Sequence, residues 1–172
     1  MKDSKIRTIA LAGVLAAAVI LLTTLVSIPM PGGYGYINLG DAGVLLAATM
    51  LGGVWGAVCA GVGSAISDLI LGWGIYAPAT LVIKGGMALL CWFLLKKFPK
   101  KLSIVAYLIA VLCVPVGYFL FETALYGAAV ALPNVVFNLL QCAVGAVVAQ
   151  AVALILQKAN VIKTLTGKSE NI

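Results

Sequence analysis

Long apolar runs, each closed by a glycine, a proline or a lysine cluster, fill almost the whole chain, and their lengths predict membrane-crossing helices. A helix needs about 20 residues to traverse the hydrocarbon core. On that measure residues 8–28 form a first crossing, ended by Pro29 and Pro31, and residues 41–52 a second, short one ended by Gly52 and Gly53. Residues 54–72 form a third, closed by Gly72-Trp73-Gly74, and residues 79–95 a fourth, which follows Pro78 and runs into the basic stretch Lys96 to Lys101. Residues 102–126 form a fifth, with a kink expected at Pro115, and residues 133–157 a sixth that opens with proline in its first turn. The whole of 1–172 then reads as one transmembrane domain.

Residues 41–72 could instead be one crossing, because Gly52-Gly53-Val54-Trp55-Gly56 is an uncharged linker. Charge decides. With six crossings, Lys2, Lys5 and Arg7, the Lys96, Lys97, Lys100 and Lys101 cluster, and Lys158, Lys163 and Lys168 all fall on one side, which the positive-inside rule makes cytoplasmic. Five crossings would put the central cluster outside. The expectation is therefore an all-α integral membrane protein of six transmembrane helices with both termini inside.

Composition agrees: 63% hydrophobic, 9% charged residues and a mean hydropathy of +1.17 exclude an ordinary water-soluble domain, which is about half apolar and a quarter charged. The first run, Ile9 to Val26, is longer than a signal-peptide core of about 7–15 residues, so it is expected to be a retained helix. The formal charge of +6 sits at the ends of apolar runs, which argues for membrane topology and against nucleic acid. Cys59, Cys91, Cys113 and Cys142 lie singly in apolar runs, and the chain has no histidine. Neither a metal nor another cofactor is expected.

Ionisable residues inside membrane segments are costly and mark function by default. Asp41, Asp68, Lys84 and Glu122 are such residues, and the six-helix topology puts all of them in the outer halves of their helices. Asn134, Asn138 and Gln141 are spaced four and three apart, on one face of the last helix and at the same level. The inner halves are almost purely Ala, Val, Leu, Ile and Gly. The pattern predicts a cup that faces outward and is sealed toward the cytoplasm, with Tyr34, Tyr36, Trp73, Tyr76, Tyr118 and Tyr126 near its rim to stack against a flat ligand. Simpler roles stay open: Asp41 and Asn134 could cap their helices, Asp68 and Lys84 could be a structural ion pair, and the aromatics could be an interfacial belt.

No nucleotide-binding Gly-x-x-x-x-Gly-Lys-[Ser/Thr] loop appears, nor a Gly-x-Ser-x-Gly or His-Glu-x-x-His motif. Asp41 and Asp68 together are similar to the carboxylate pair of intramembrane aspartyl proteases, but Asn38-Leu39-Gly40-Asp41 lacks the first glycine of Gly-x-Gly-Asp. An enzyme is not expected. A lone channel or carrier is a further alternative, although no internal repeat of the kind common in transporters is visible. Ala12 and Ala16 form a small-x-x-x-small pattern that permits close contact with another helix.

The stretches INLGDAGVLLAATMLGGVWGAVCAGVGSAISDLILGW and YAPATLVIKGGMALL, after an Ala-rich first helix and a Gly/Pro/Tyr loop, resemble the substrate-binding S components of energy-coupling factor (ECF) vitamin transporters. The likeness covers essentially the whole chain, is most specific over residues 37–90, and points to the riboflavin, hydroxymethylpyrimidine or pyridoxine branch. The resemblance implies a multi-pass protein of the bacterial cytoplasmic membrane that captures a vitamin or precursor from outside and delivers it through a T component and two ABC ATPases, toppling in the bilayer to release it. Ala12 and Ala16 match the family's Ala-x-x-x-Ala contact with the T component, and Pro29 to Asn38 match the gating loop. By position, the expected substrate contacts are Tyr34, Tyr36, Asn38, Asp41, Asp68, Lys84, Glu122, Asn134 and Asn138, with a small heterocycle favoured over riboflavin.

Overall fold

The apolar runs fold as helices around one short helix that sits at their centre. The computed structural model describes residues 2–30 and 35–166; Tyr34, the Pro31–Tyr34 part of the expected gate, and Lys168 lie outside the described residues. Helix α1 (Lys2–Thr24) leads into a small antiparallel hairpin, β1 (Ser27–Pro29) and β2 (Tyr36–Asn38), with Ile28 opposite Ile37. Then come α2 (Gly40–Met50), α3 (Gly53–Ile70) and α4 (Ala77–Lys97). A single 3₁₀ turn, Lys100–Leu102, precedes α5 (Ser103–Val111) and α6 (Cys113–Tyr126), and α7 (Ala128–Lys158) and α8 (Val161–Thr166) complete the described chain.

Five segments among the described residues are long and apolar enough to cross a membrane: Lys5–Thr24, Gly53–Ile70, Ala77–Lys97, Lys100–Tyr126 and Ala128–Lys158. Helix α2 has only 11 residues, so at 1.5 Å per residue it covers about half of a 30 Å hydrocarbon core. Its Val44, Leu45, Ala47 and Ala48 are buried, and α1, α3, α4 and α7 pack around it.

The uncharged linker is a true reversal. Gly52 and Gly53 both have positive φ, 66° and 51°, a region in which a side chain is strained, so the chain turns there without polar loop residues. Gly40 at the start of α2 and Asp68 near the end of α3 consequently meet at one end of the bundle.

Three boundaries differ from those read in the sequence. The first helix stops at Thr24, because residues 27–29 pair as a strand with residues 36–38. The break in the fifth span falls at Leu112, between α5 and α6; Pro115 then occupies the first turn of α6, where a missing N–H costs no helix bond. The last long helix begins at Ala128, immediately after Gly127 with φ of 87°, and carries Pro133 in its interior.

Hydrocarbon provides no solvent-driven force between helices, so packing depends on close approach through small residues. A Cβ added at Gly61 in α3 would lie 2.6 Å from the Leu81 carbonyl oxygen of α4, and one at Gly145 in α7 would lie 2.8 Å from the Asp41 Cβ. Gly61→Val should therefore force α3 and α4 apart. Overpacking of this kind costs about 1–3 kcal/mol, and a lower thermal midpoint of the detergent-solubilised variant is the expected result; an unchanged midpoint would mean that the two helices are not held at this spacing.

Candidate functional site

Polar side chains from six elements line one cavity, at the end of the bundle where α1, α3 and α6 finish and α2 and α4 begin. Its walls include Tyr36 and Asn38 from β2, Asp68 from α3, Thr80 and Lys84 from α4, Tyr118 and Glu122 from α6, and Asn138 and Gln141 from α7. The enclosed space between these side chains is about 30 Å³, little more than one water molecule occupies. The Lys96, Lys97 and Lys100–Leu102 region, at the end of α4 and beyond, lies at the opposite end of that helix from the cavity.

Beneath this space Asp41, with no exposed surface, forms an ion pair with Lys84, itself only 4% exposed. The second carboxylate oxygen of Asp41, Oδ2, accepts a hydrogen bond from Gln141 Nε2 at 2.8 Å. Gln141 also reaches the hairpin: its Oε1 accepts the backbone N–H of Asn38 at 2.8 Å. Asn38 in turn turns its Oδ1 onto the backbone N–H of Gly40 at 2.7 Å, tying the hairpin to the start of α2. One glutamine thus joins the floor ion pair to the strand that covers it.

The two carboxylates on the walls are held differently. Tyr36 donates its hydroxyl to Asp68 Oδ1 at 2.6 Å, while Asp68 Oδ2 is buried with no hydrogen-bond partner among the described residues. The Thr80 hydroxyl, on the same wall, is engaged with Tyr118 at 2.8 Å. Glu122 Oε2 accepts from Asn134 Nδ2 at 3.0 Å, and its Oε1 from the Tyr76 hydroxyl at 3.4 Å. Burial, and then the charge of Asp68, push the Tyr36 phenol well above its ordinary range; burial and then Glu122 do the same for Tyr76. Both phenols therefore remain donors throughout the physiological range.

Aromatic rings continue the wall. Tyr36 and Trp73 are 6.2 Å apart and tilted by 33°, Trp73 meets Tyr76 edge-on at 5.7 Å, and Tyr76 lies 6.2 Å from Tyr118. Lys84 Nζ lies 5.7 Å from the Tyr118 ring centre, close to the outer limit of a cation–π contact.

Of the residues expected from the sequence, Tyr36, Asn38, Asp68, Lys84, Glu122 and Asn138 line the cavity, whereas Asp41 and Asn134 stand behind it as partners of Lys84 and Glu122. Lys84 pairs with Asp41 and not with Asp68, and Asp41 makes no cap bond at the α2 terminus. The carboxylates of Asp41 and Asp68 are each tied to different partners, which is not the arrangement of a catalytic dyad. Gln141, recognised as polar but not as a contact, lines the cavity, as do Thr23, Met30, Ser64 and Thr80. Thr23 gave no signal because its hydroxyl bonds the Val19 carbonyl of its own helix, at 2.7 Å, as any intramembrane threonine can. Ala12 and Ala16 are half-buried on the side of α1 next to α3: the Ala12 carbonyl accepts the Cys59 thiol at 3.3 Å, and a Cβ on Gly63 would lie 3.1 Å from the Ala16 carbonyl oxygen.

Known proteins resemble this chain over most of its length. The family model described as "ECF-type riboflavin transporter, S component" matches residues 3–158. A protein of Pyrococcus woesei described only as uncharacterized, in a gap 3′ region, is 32% identical over 142 residues, covering 82% of this chain and 95% of its own. The thiamine precursor transporter HmpT of Lactococcus lactis subsp. cremoris is 26% identical over 163 residues, covering 94% of this chain and 95% of its own.

Proposed function

Because the chain belongs to the family of ECF-type riboflavin transporter S components, we propose that the cavity is the site at which it captures its substrate from outside the cell. The protein is a substrate-binding subunit of a transporter for a vitamin or vitamin precursor, a multi-pass membrane protein, and not an enzyme. The substrate is a small nitrogen heterocycle, held by Tyr36, Asn38, Asp68, Lys84, Glu122 and Asn138, with Asp41 and Asn134 fixing Lys84 and Glu122 from behind. Both termini face the cytoplasm, the short central helix is a sixth crossing, and the hairpin is the gate. A T component and two ABC ATPases provide the energy, with α1 as the docking helix, through the exposed Gly13, Val14 and Ala17 that flank Ala12 and Ala16.

The observation that carries this reading is the meeting of charged and amide side chains from four helices and the hairpin at one end of the bundle, away from the lysine-rich end. One support bears on the choice of substrate: thiamine-precursor transport is named for the Lactococcus relative.

Mass spectrometry of small molecules carried through purification tests it. A single heterocycle near one equivalent per protein, retained without ATP, is the expected result. Proteoliposomes containing this chain alone should not move that compound. Transport by the chain alone would replace the subunit reading with that of an autonomous carrier.

A further inference from the structure

We propose that the lysine-rich end of the bundle holds the phosphate of an anionic phospholipid, in a groove separate from the cavity at the other end. The groove has a volume of about 910 Å³, and its walls include Trp55 of α3, Trp92, Leu95 and Lys96 of α4, and Phe98 and Lys100 just beyond α4. It arises from a mismatch of lengths. The turn that closes α2 comes back level with Trp92: a Cβ added at Gly52 would lie 2.5 Å from the Trp92 ring. Helix α4 continues past that level to Lys97. The step between the turn and the end of α4 is the groove, and it exists whatever the other cavity binds.

Its depth is that of a headgroup. Helix α4 has 21 residues, about 30 Å at 1.5 Å per residue, which matches the hydrocarbon core and puts Lys96 at the level of the phosphates. Trp55 and Trp92 flank it where tryptophan favours the membrane interface. Lys96 Nζ is held 3.8 Å from the centre of the Trp92 ring, a cation–π contact that fixes the ammonium at the groove wall. Among the described residues no carboxylate lines the groove; Asp41, Asp68 and Glu122 belong to the opposite end. A phosphate accepts charge-assisted bonds from such ammonium groups, and basic pockets between helices at this level suit anionic headgroups. The acyl chains then lie along Trp55, Val58 and Val62, which are exposed at i, i+3 and i+7 of α3. Free phosphate or an acidic protein segment would satisfy the lysines but leave that deeper apolar row uncovered.

Native mass spectrometry of the purified full chain, with phosphatidylglycerol and phosphatidylcholine supplied in equal amounts, tests the proposal. Wild-type protein should retain one phosphatidylglycerol with a preference of about 10-fold or more, the scale expected for two lysines at an anionic surface. Lys96→Gln combined with Lys100→Gln should cut that preference to about 3-fold or less. Lys5→Gln combined with Lys158→Gln removes the same charge from exposed positions outside the groove and should leave the preference intact. Equal retention of both lipids by wild-type protein overturns the proposal, and this comparison needs no variant to fold. An equal loss in the two double variants also overturns it, because net charge would then explain the preference. Inorganic phosphate in large excess should leave the lipid bound; displacement would assign the groove to a free anion instead. A groove variant that keeps the lipid preference but no longer assembles with the T component would make the groove a protein contact, and the lipid assignment falls. Small molecules retained at the other cavity appear in the same spectra, so failure of the lipid site and failure of the transport reading are scored separately.

Discussion

Lys84→Met should destabilise the protein by about 3–5 kcal/mol, the scale on which removing one partner of a buried ion pair leaves the other charge uncompensated. Asp41 has no exposed surface, and its remaining bond in this structure is the one from Gln141. Adding Asp41→Asn to the same chain removes the stranded charge and should recover part of the loss. Thermal denaturation in detergent, run on the single and double variants, measures both effects. If Lys84→Met alone matched wild type, the pair would not be holding α2 to α4, and its place under the cavity would need another explanation.

Ala12→Glu should reduce uptake to background in cells that supply the T component and ATPases, while binding by the purified variant stays within about 2-fold of wild type. The prediction follows from the proposed division of labour, with substrate held at one end of the bundle and the partner docked along α1. A carboxylate in mid-membrane has its own insertion cost of about 2.5–3.5 kcal/mol, so a control is required. Val116 on α6 is 58% exposed and in the middle of its span, so Val116→Glu bears the same cost away from α1. Uptake should survive in that variant. Loss of binding in Ala12→Glu would instead tie Ala12 to the integrity of the α1–α3 contact that Cys59 makes with it.

The level of the site was legible because a carboxylate or an amide stands out inside an apolar run, and because the lysine clusters give each run a direction. The turn between α2 and α3 was legible from charge alone, because a reversal at Gly52 and Gly53 is what brings the lysine clusters to one side. Pairing was not. Whether Lys84 meets Asp41 or Asp68 depends on how α2, α3 and α4 are rotated about their axes, and both carboxylates lie at the right depth. The hairpin was hidden because Ser27-Ile28-Pro29 continues the apolar run before it, and strand pairing is a property of two segments rather than one. Pro133 misled in the opposite direction: proline suggested a helix start, whereas Gly127 marks the boundary and the helix tolerates the single bond that Pro133 removes.

Gln141 has a kinetic meaning beyond its two hydrogen bonds. It grips the floor carboxylate with its nitrogen and the covering strand with its oxygen, so neither can shift without loosening the other. Coupling of this kind is reciprocal: a ligand that steadies Asp41 and Lys84 also stiffens the strand, and a strand pulled away slackens the floor. If the cavity holds the substrate as proposed, Gln141→Leu should shorten the residence time of the ligand more than it slows its arrival, a difference that stopped-flow binding and release measure.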